Sequence, residues 1–134
     1  MPKIIKKILM IIMQIFRKLF VVLLFKVESP FQCKIGKGLK LMHPNGIIIH
    51  KDVVLGDYCT IYHQVTIGSN DKGNVNDVAK IGNNVYIGSG AKIIGPLNIG
   101  NNVKIGANAV VVSDLPENSV AIGVPAKIKK ISDR

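Results

Sequence analysis

The hydrophobic positions between Ile35 and Val111 keep a six-residue step. Ile81, Ile87, Ile93, Ile99, Ile105 and Val111 are six apart, and Gly follows the aliphatic at 82, 88, 100 and 106. Four places after each aliphatic comes Val85, Ala91, Leu97, Val103 or Ala109. An upstream set repeats the pattern with Ile49, Leu55, Ile61 and Ile67, and with Val53, Cys59 and Val65 at the fourth place. A third set opens with Ile35-Gly36 and Leu41. An amphipathic helix would repeat every 3.6 residues. Here apolar positions alternate as in a strand, and a turn interrupts the alternation once per hexad. Gly after the aliphatic suits a chain that bends at each corner. Three six-residue faces make a triangular coil of 18 residues, and about four and a half such coils fit between Ile35 and Pro116.

The step slips twice. One slip lies between Leu41/Ile47 and Ile49, and the other between Ile67 and Ile81, where 14 residues replace 12. The second slip holds the polar, turn-rich stretch from Ser69 to Asp77, which predicts a loop projecting over 69–80. Counted this way, Leu41, Ile61, Ile81 and Ile99 share a column, with His43, His63, Asn83 and Asn101 two residues on. Ile67, Ile87 and Ile105 form another, followed by Ser69, Ser89 and Ala107, small residues beside which a ligand can approach the backbone. His43 and His63 then occupy equivalent corners of adjacent coils, about 4.8 Å apart at the backbone.

Residues 3–25 follow a different pattern. They lack Gly and Pro and predict a helix, with a narrow stripe at Lys3, Lys7, Met10, Gln14 and Arg17. The apolar runs Ile8–Met13 and Leu19–Phe25 are separated by Gln14, Arg17 and Lys18, and each is shorter than the roughly 20 residues of a membrane span. The same interruptions, with no small-x-small cleavage site, argue against a secretory signal. Two readings stay open: a helix lying on an anionic membrane surface, or one packed against the rest of the protein or a neighbouring subunit. The expected organisation is a basic apolar helix over 1–28, a coil over 29–123, and a C-terminal tail over 124–134.

Composition separates these parts further. The 134 residues carry a formal charge of +10, but six of the 18 cations lie before Lys26 or at it, and the first acid is Glu28. A uniformly basic nucleic-acid binder would not concentrate charge this way. With 48% hydrophobic residues the chain is too apolar for a disordered basic tail. Aromatics make up only 5% and Trp is absent, so the core is built of Ile and Val. The two cysteines, Cys33 and Cys59, cannot frame a disulfide mini-protein, and Cys59 at an inward position fits a reducing cytosol.

Several segments carry a resemblance. Gly38-Leu39-Lys40-Leu41-Met42-His43-Pro44-Asn45-Gly46-Ile47 and Ile61-Tyr62-His63-Gln64-Val65-Thr66-Ile67-Gly68 are two of them. Ile87–Gly95, Ile105–Val111 and the closing Ala121-Ile122-Gly123-Val124-Pro125-Ala126-Lys127 are the others. Over about residues 30–128 the chain resembles the hexapeptide-repeat acyltransferases, in particular serine acetyltransferases and their polysaccharide-modifying relatives. The resemblance implies a mainly β fold, a left-handed parallel β-helix with a short N-terminal helix. It implies acetyl-CoA as donor, no metal, and a homotrimer whose groove lies between subunits. His43 would be the general base and His63 a second base or an orienting group. Pantetheine would lie along Ser69, Ser89 and Ala107, with Lys127 and Lys104 meeting the CoA phosphates.

An alcohol needs a base to take its proton in the transition state, and neutral imidazole suits that task near pH 7. Backbone N–H groups near Ser69 and Ser89 would hold the oxyanion. The chain departs from serine acetyltransferases in three positions and one region. Met42 stands where that family has Asp, Asp77 and Val78 stand where it has Arg-His, and about 30 residues replace a long helical N-terminal domain. These departures point to a saccharide hydroxyl in envelope polysaccharide synthesis, with L-serine as the alternative. The expected location is cytoplasmic, and peripheral at the inner face of the membrane under the first of the two readings of the helix. A zinc enzyme of the γ-carbonic-anhydrase kind would need three histidines to share a metal, and His43, His50 and His63 lack that spacing. A non-catalytic scaffold or binding module is the reading from another class; it does not account for the closing motif.

Overall fold

The computed structural model describes residues 1–25, 33–71 and 77–130. Over these residues the chain forms one helix, α1 (Lys3–Phe25), and fourteen strands of two to four residues. The strands stack into three sheets, the faces of a prism. The first face holds β1 (Lys34–Ile35), β4 (Val54–Leu55), β7 (Lys80–Ile81) and β10 (Asn98–Ile99). The second holds β2 (Lys40–Met42), β5 (Thr60–Tyr62), β8 (Tyr86–Ile87), β11 (Lys104–Ile105), β13 (Ser119–Ile122) and β14 (Lys127–Lys130). The third holds β3 (Ile48–Ile49), β6 (Thr66–Gly68), β9 (Lys92–Ile94) and β12 (Val110–Val111). Pairing is parallel throughout except between β13 and β14. The architecture is a left-handed parallel β-helix.

The six-residue ruler becomes three aliphatic stacks inside the prism. Ile47, Ile61, Ile67, Ile87, Ile93 and Ile105 are completely enclosed. Inward aliphatics stack coil on coil at strand spacing, so branched side chains fill the narrow interior and leave no room for a ring.

The register corrects the stacking expected from sequence. Leu41 pairs with Ile61, Ile61 with Ile87, Ile87 with Ile105, and Ile105 with Ala121. Ile35, Leu55, Ile81 and Ile99 form the second stack, and Ile49, Ile67, Ile93 and Val111 the third. Ile81 and Ile99 therefore do not lie above Ile61, nor does Ile87 lie above Ile67. Ile61 and Ile87 are 26 positions apart, eight more than one coil. The slip after Ile67 is an eight-residue insertion, which leaves the same remainder on a six-residue ruler as an insertion of two.

Asn83 and Asn101 consequently belong to a different corner. There they build a ladder in which each backbone N–H donates to a side chain one coil on. Lys37 donates to Asp57 Oδ1 at 2.9 Å, Asp57 to Asn83 Oδ1 at 2.8 Å, and Asn83 to Asn101 Oδ1 at 2.8 Å.

Two ends complete the coil. The segment expected as a tail contributes β14, which pairs antiparallel with β13. Between them the turn grips the last coil: Val110 N–H donates to Gly123 O at 3.0 Å, and Ala126 N–H donates to Val110 O at 2.8 Å. At the other end, every side chain of α1 that the structure describes is exposed.

Candidate active site

His43 and His63 follow β2 and β5, neighbours in the second sheet, and turn the chain toward the third face. The first slip lies at this corner. Gln64 N–H donates to Asn45 O, as Gly90 N–H does to His63 O and Asn108 N–H to Ser89 O. Asn45 is thus the corner counterpart of His63, and His43-Pro44 are the two inserted residues. The insertion holds His43 in the left-handed region at φ 52° and leaves its side chain exposed. A non-Gly residue seldom adopts that conformation, so the backbone here is shaped by the bulge.

His63 is half-buried. Its Nδ1 is enclosed and has no hydrogen-bond partner, the single such side-chain atom among the described residues. An unpaired buried nitrogen costs on the order of 1–3 kcal/mol, and such an atom goes with strain, with a catalytic role, or with a water or ion that completes its bonding. Beyond His63 the same column continues with half-buried Ser89 and exposed Ala107.

Lys104 begins β11 and Lys127 begins β14, both exposed on the same sheet. From β5 to β14 is four strand spacings, roughly 19 Å, so a molecule touching both ends must be long. Lys104 lines a depression of about 380 Å³ with Thr60, Asn84, Tyr86, Asn102 and Asn118. A larger depression of about 670 Å³ lies on the first face, between Lys80 and Glu117, and includes neither histidine. Volume alone would point to the first face. The histidines and the column of small residues select the second.

Ser69 leaves this constellation. Gly68 pairs with Ile94, so Ser69 lies beyond the third face, where its Oγ accepts the Asp71 N–H at 2.9 Å and opens the inserted loop. An insertion of two residues would have placed it in the column of Ser89; the insertion of eight does not. Of the N–H groups that follow Ser89, those of Gly90 and Ala91 are engaged within the coil, by His63 O and Gly88 O. His50 stands at another corner, where Nδ1 accepts the Asp52 N–H at 3.3 Å and lies 3.7 Å from Asp52 Oδ2. Val78, at a loop position aligned with a family histidine, packs into the core at 7% exposure.

One contact was not expected from sequence. Lys92 Nζ donates to Gln64 O at 2.8 Å, bracing the corner next to His63. Lys92 pairs with Thr66 across β9 and β6; only the stacked register reveals that its side chain reaches back to this corner. Among the described residues, no group of three or more His, Cys, Asp or Glu side chains is placed to hold a metal ion.

Residues 79–113 match the family described as bacterial transferase hexapeptide (six repeats). The coil is of the hexapeptide transferase repeat family. This hexapeptide coil is 47% identical over 94 residues to the serine acetyltransferase of Helicobacter pylori strain J99, covering 70% of this chain and 55% of that one. Among solved structures, it is similar to a serine acetyltransferase in complex with cysteine, with a TM-score of 0.80 and 34% identity over 87% of this chain and 48% of that one. It is also similar to the Brucella abortus S19 serine acetyltransferase in complex with coenzyme A, with a TM-score of 0.71 and 38% identity over 72% and 39% of the two chains. The chain thus spans about half the length, or less, of these relatives.

Proposed function

We propose that the hexapeptide coil transfers an acetyl group from acetyl-CoA to a hydroxyl, with L-serine as the acceptor. The observation that carries this reading is the corner itself. Two imidazoles stand on adjacent coils, one with an unpaired buried nitrogen, and the small residues Ser89 and Ala107 continue the column. The similarity to serine acetyltransferases, one of them solved with coenzyme A, supports both donor and acceptor.

In this reading His43 takes the hydroxyl proton as the oxygen bonds to the acetyl carbonyl carbon. The CoA sulfur leaves and recovers that proton from the imidazolium. His63 orients the acceptor, and Lys92 keeps its corner in place. Pantetheine runs past Ser89 and Ala107, and Lys104 and Lys127 meet the CoA phosphates as cations. A groove on one sheet is open on its outer side, and a second subunit of a homotrimer would supply the missing wall.

A saccharide acceptor is the second reading. It is favoured by Val78, whose apolar side chain fills the core where the resemblance expects a histidine. The deciding experiment is an acceptor panel of L-serine and sugars with acetyl-CoA, read by product mass. O-acetylserine should dominate, and His43→Ala should lower turnover by about 10²–10⁴-fold. Faster acetylation of a sugar would reverse the order of acceptors, and full activity in His43→Ala would remove the mechanism.

A further inference from the structure

Among the described residues, no strand packs on α1 extensively enough to explain its composition. Ile4, Ile8, Ile12, Met13, Phe16 and Leu23 are each at least half exposed, on several sides of the helix. Burying these side chains against water-free surroundings is strongly favourable, and leaving a patch of this size in water marks an interaction site. Lys3, Lys6, Lys7 and Arg17 are exposed as well, and α1 contains no acid.

The arrangement of charge identifies the occupant. On a helix of 3.6 residues per turn, the cationic positions 3, 6, 7, 17 and 18 fall within an arc of about 120°. Gln14 lies in the same arc, and the rest of the circumference is apolar apart from its edges. We propose that α1 docks in the plane of an anionic phospholipid surface. The apolar arc sinks among the acyl chains and the cations lie at the level of the phosphates. Charge complementarity favours lipid over a second copy of the chain, because a second α1 brings the same unpaired cations and no carboxylate. The broad apolar arc also exceeds the narrow seam that pairs two helices. An in-plane pose fits better than a spanning one, which would draw Arg17 into hydrocarbon. No helix among the described residues is long and apolar enough to cross a membrane.

This proposal stands apart from the acyl-transfer reading, since binding to vesicles is read without substrate. The full chain would be sedimented with vesicles of phosphatidylcholine alone and with about 30% phosphatidylglycerol. Binding should require the anionic lipid and weaken as salt rises. The combined variant Lys3→Gln, Lys6→Gln, Lys7→Gln should lower the partition coefficient at least about tenfold. Ile8→Ser with Ile12→Ser should also lower binding, while the melting temperature of the coil stays unchanged in both variants. Equal binding to neutral vesicles, or none to either kind, would overturn the proposal. Resistance to an alkaline carbonate wash would indicate insertion and overturn the in-plane pose. A subunit count that drops in Ile8→Ser/Ile12→Ser, with vesicles left unbound by the unmodified chain, would assign α1 to a second copy instead.

Discussion

At the scale of single residues, burial and register give similar side chains different chemistry. Cys59 is fully enclosed, and its thiol lies 3.3 Å from Gly82 O. Burial pushes the thiol above its ordinary value of 9.0, a hydrogen bond at Val85 pulls it down, and Asp57 adds to the rise. The unfolded chain therefore loses this proton first. Above about pH 9 the native state binds more protons than the unfolded one, so stability falls as pH rises toward the native pKa. Below that window the contribution is intact. Urea unfolding at about pH 8 and about pH 10 should show a smaller loss in Cys59→Ala than in the unmodified chain. An identical loss would assign the slope to other groups. The inward placement of Cys59 is legible in sequence because it falls on the six-residue ruler. The buried Nδ1 of His63 is not, because the ruler places a residue on a face but does not set the enclosure of one side-chain atom.

At the scale of the element, the corners are specified by polar residues rather than by the core. Asn84, Asn102 and Asn118 all adopt positive φ, between 55° and 57°. Their side chains bond along the coil axis, Asn84 Nδ2 to Asn102 Oδ1 and Asn102 Nδ2 to Asn118 Oδ1, each at 3.0 Å. Asn tolerates the left-handed region better than most residues, and its amide both donates and accepts. Asn102→Ala removes two bonds of the ladder and puts a strained residue at the corner. It should lower stability by about 1–2 kcal/mol in denaturant unfolding. Asn102→Gly should recover the backbone part but not the bonds. An unchanged midpoint in Asn102→Ala would mean that water replaces the ladder without loss. The individual hexads were readable from the chain, since each carries its own inward pair and turn. The ladder is not, because it joins residues of different hexads, 16 to 18 positions apart, which only the register brings together.

At the scale of the molecule, six of the seven candidate residues gather along one sheet and its edge: His43, His63, Ser89, Ala107, Lys104 and Lys127. If the groove lies between subunits, one subunit lends His43 to a neighbour that lends Ala107. Two inactive chains, His43→Ala and Ala107→Trp, should then complement when unfolded and refolded together. Random assembly of a trimer would restore about a quarter of the sites. Mixed oligomers that form yet recover no activity would place the whole site within one subunit.

What the sequence determined by itself was the six-residue phase, the inward residues and the basic helix; the expected boundary between 28 and 29 lies outside the described residues. Those three are local properties, set by side-chain alternation and turn chemistry within a few residues. The tertiary structure alone decided which hexad rests on which. Insertions of two and of eight residues leave the same phase on a six-residue ruler. Hydrogen bonds between coils distinguish them, and those bonds join positions 18 to 26 residues apart. That choice removed Ser69 and the two asparagines from the column and aligned His63 with Ser89 and Ala107.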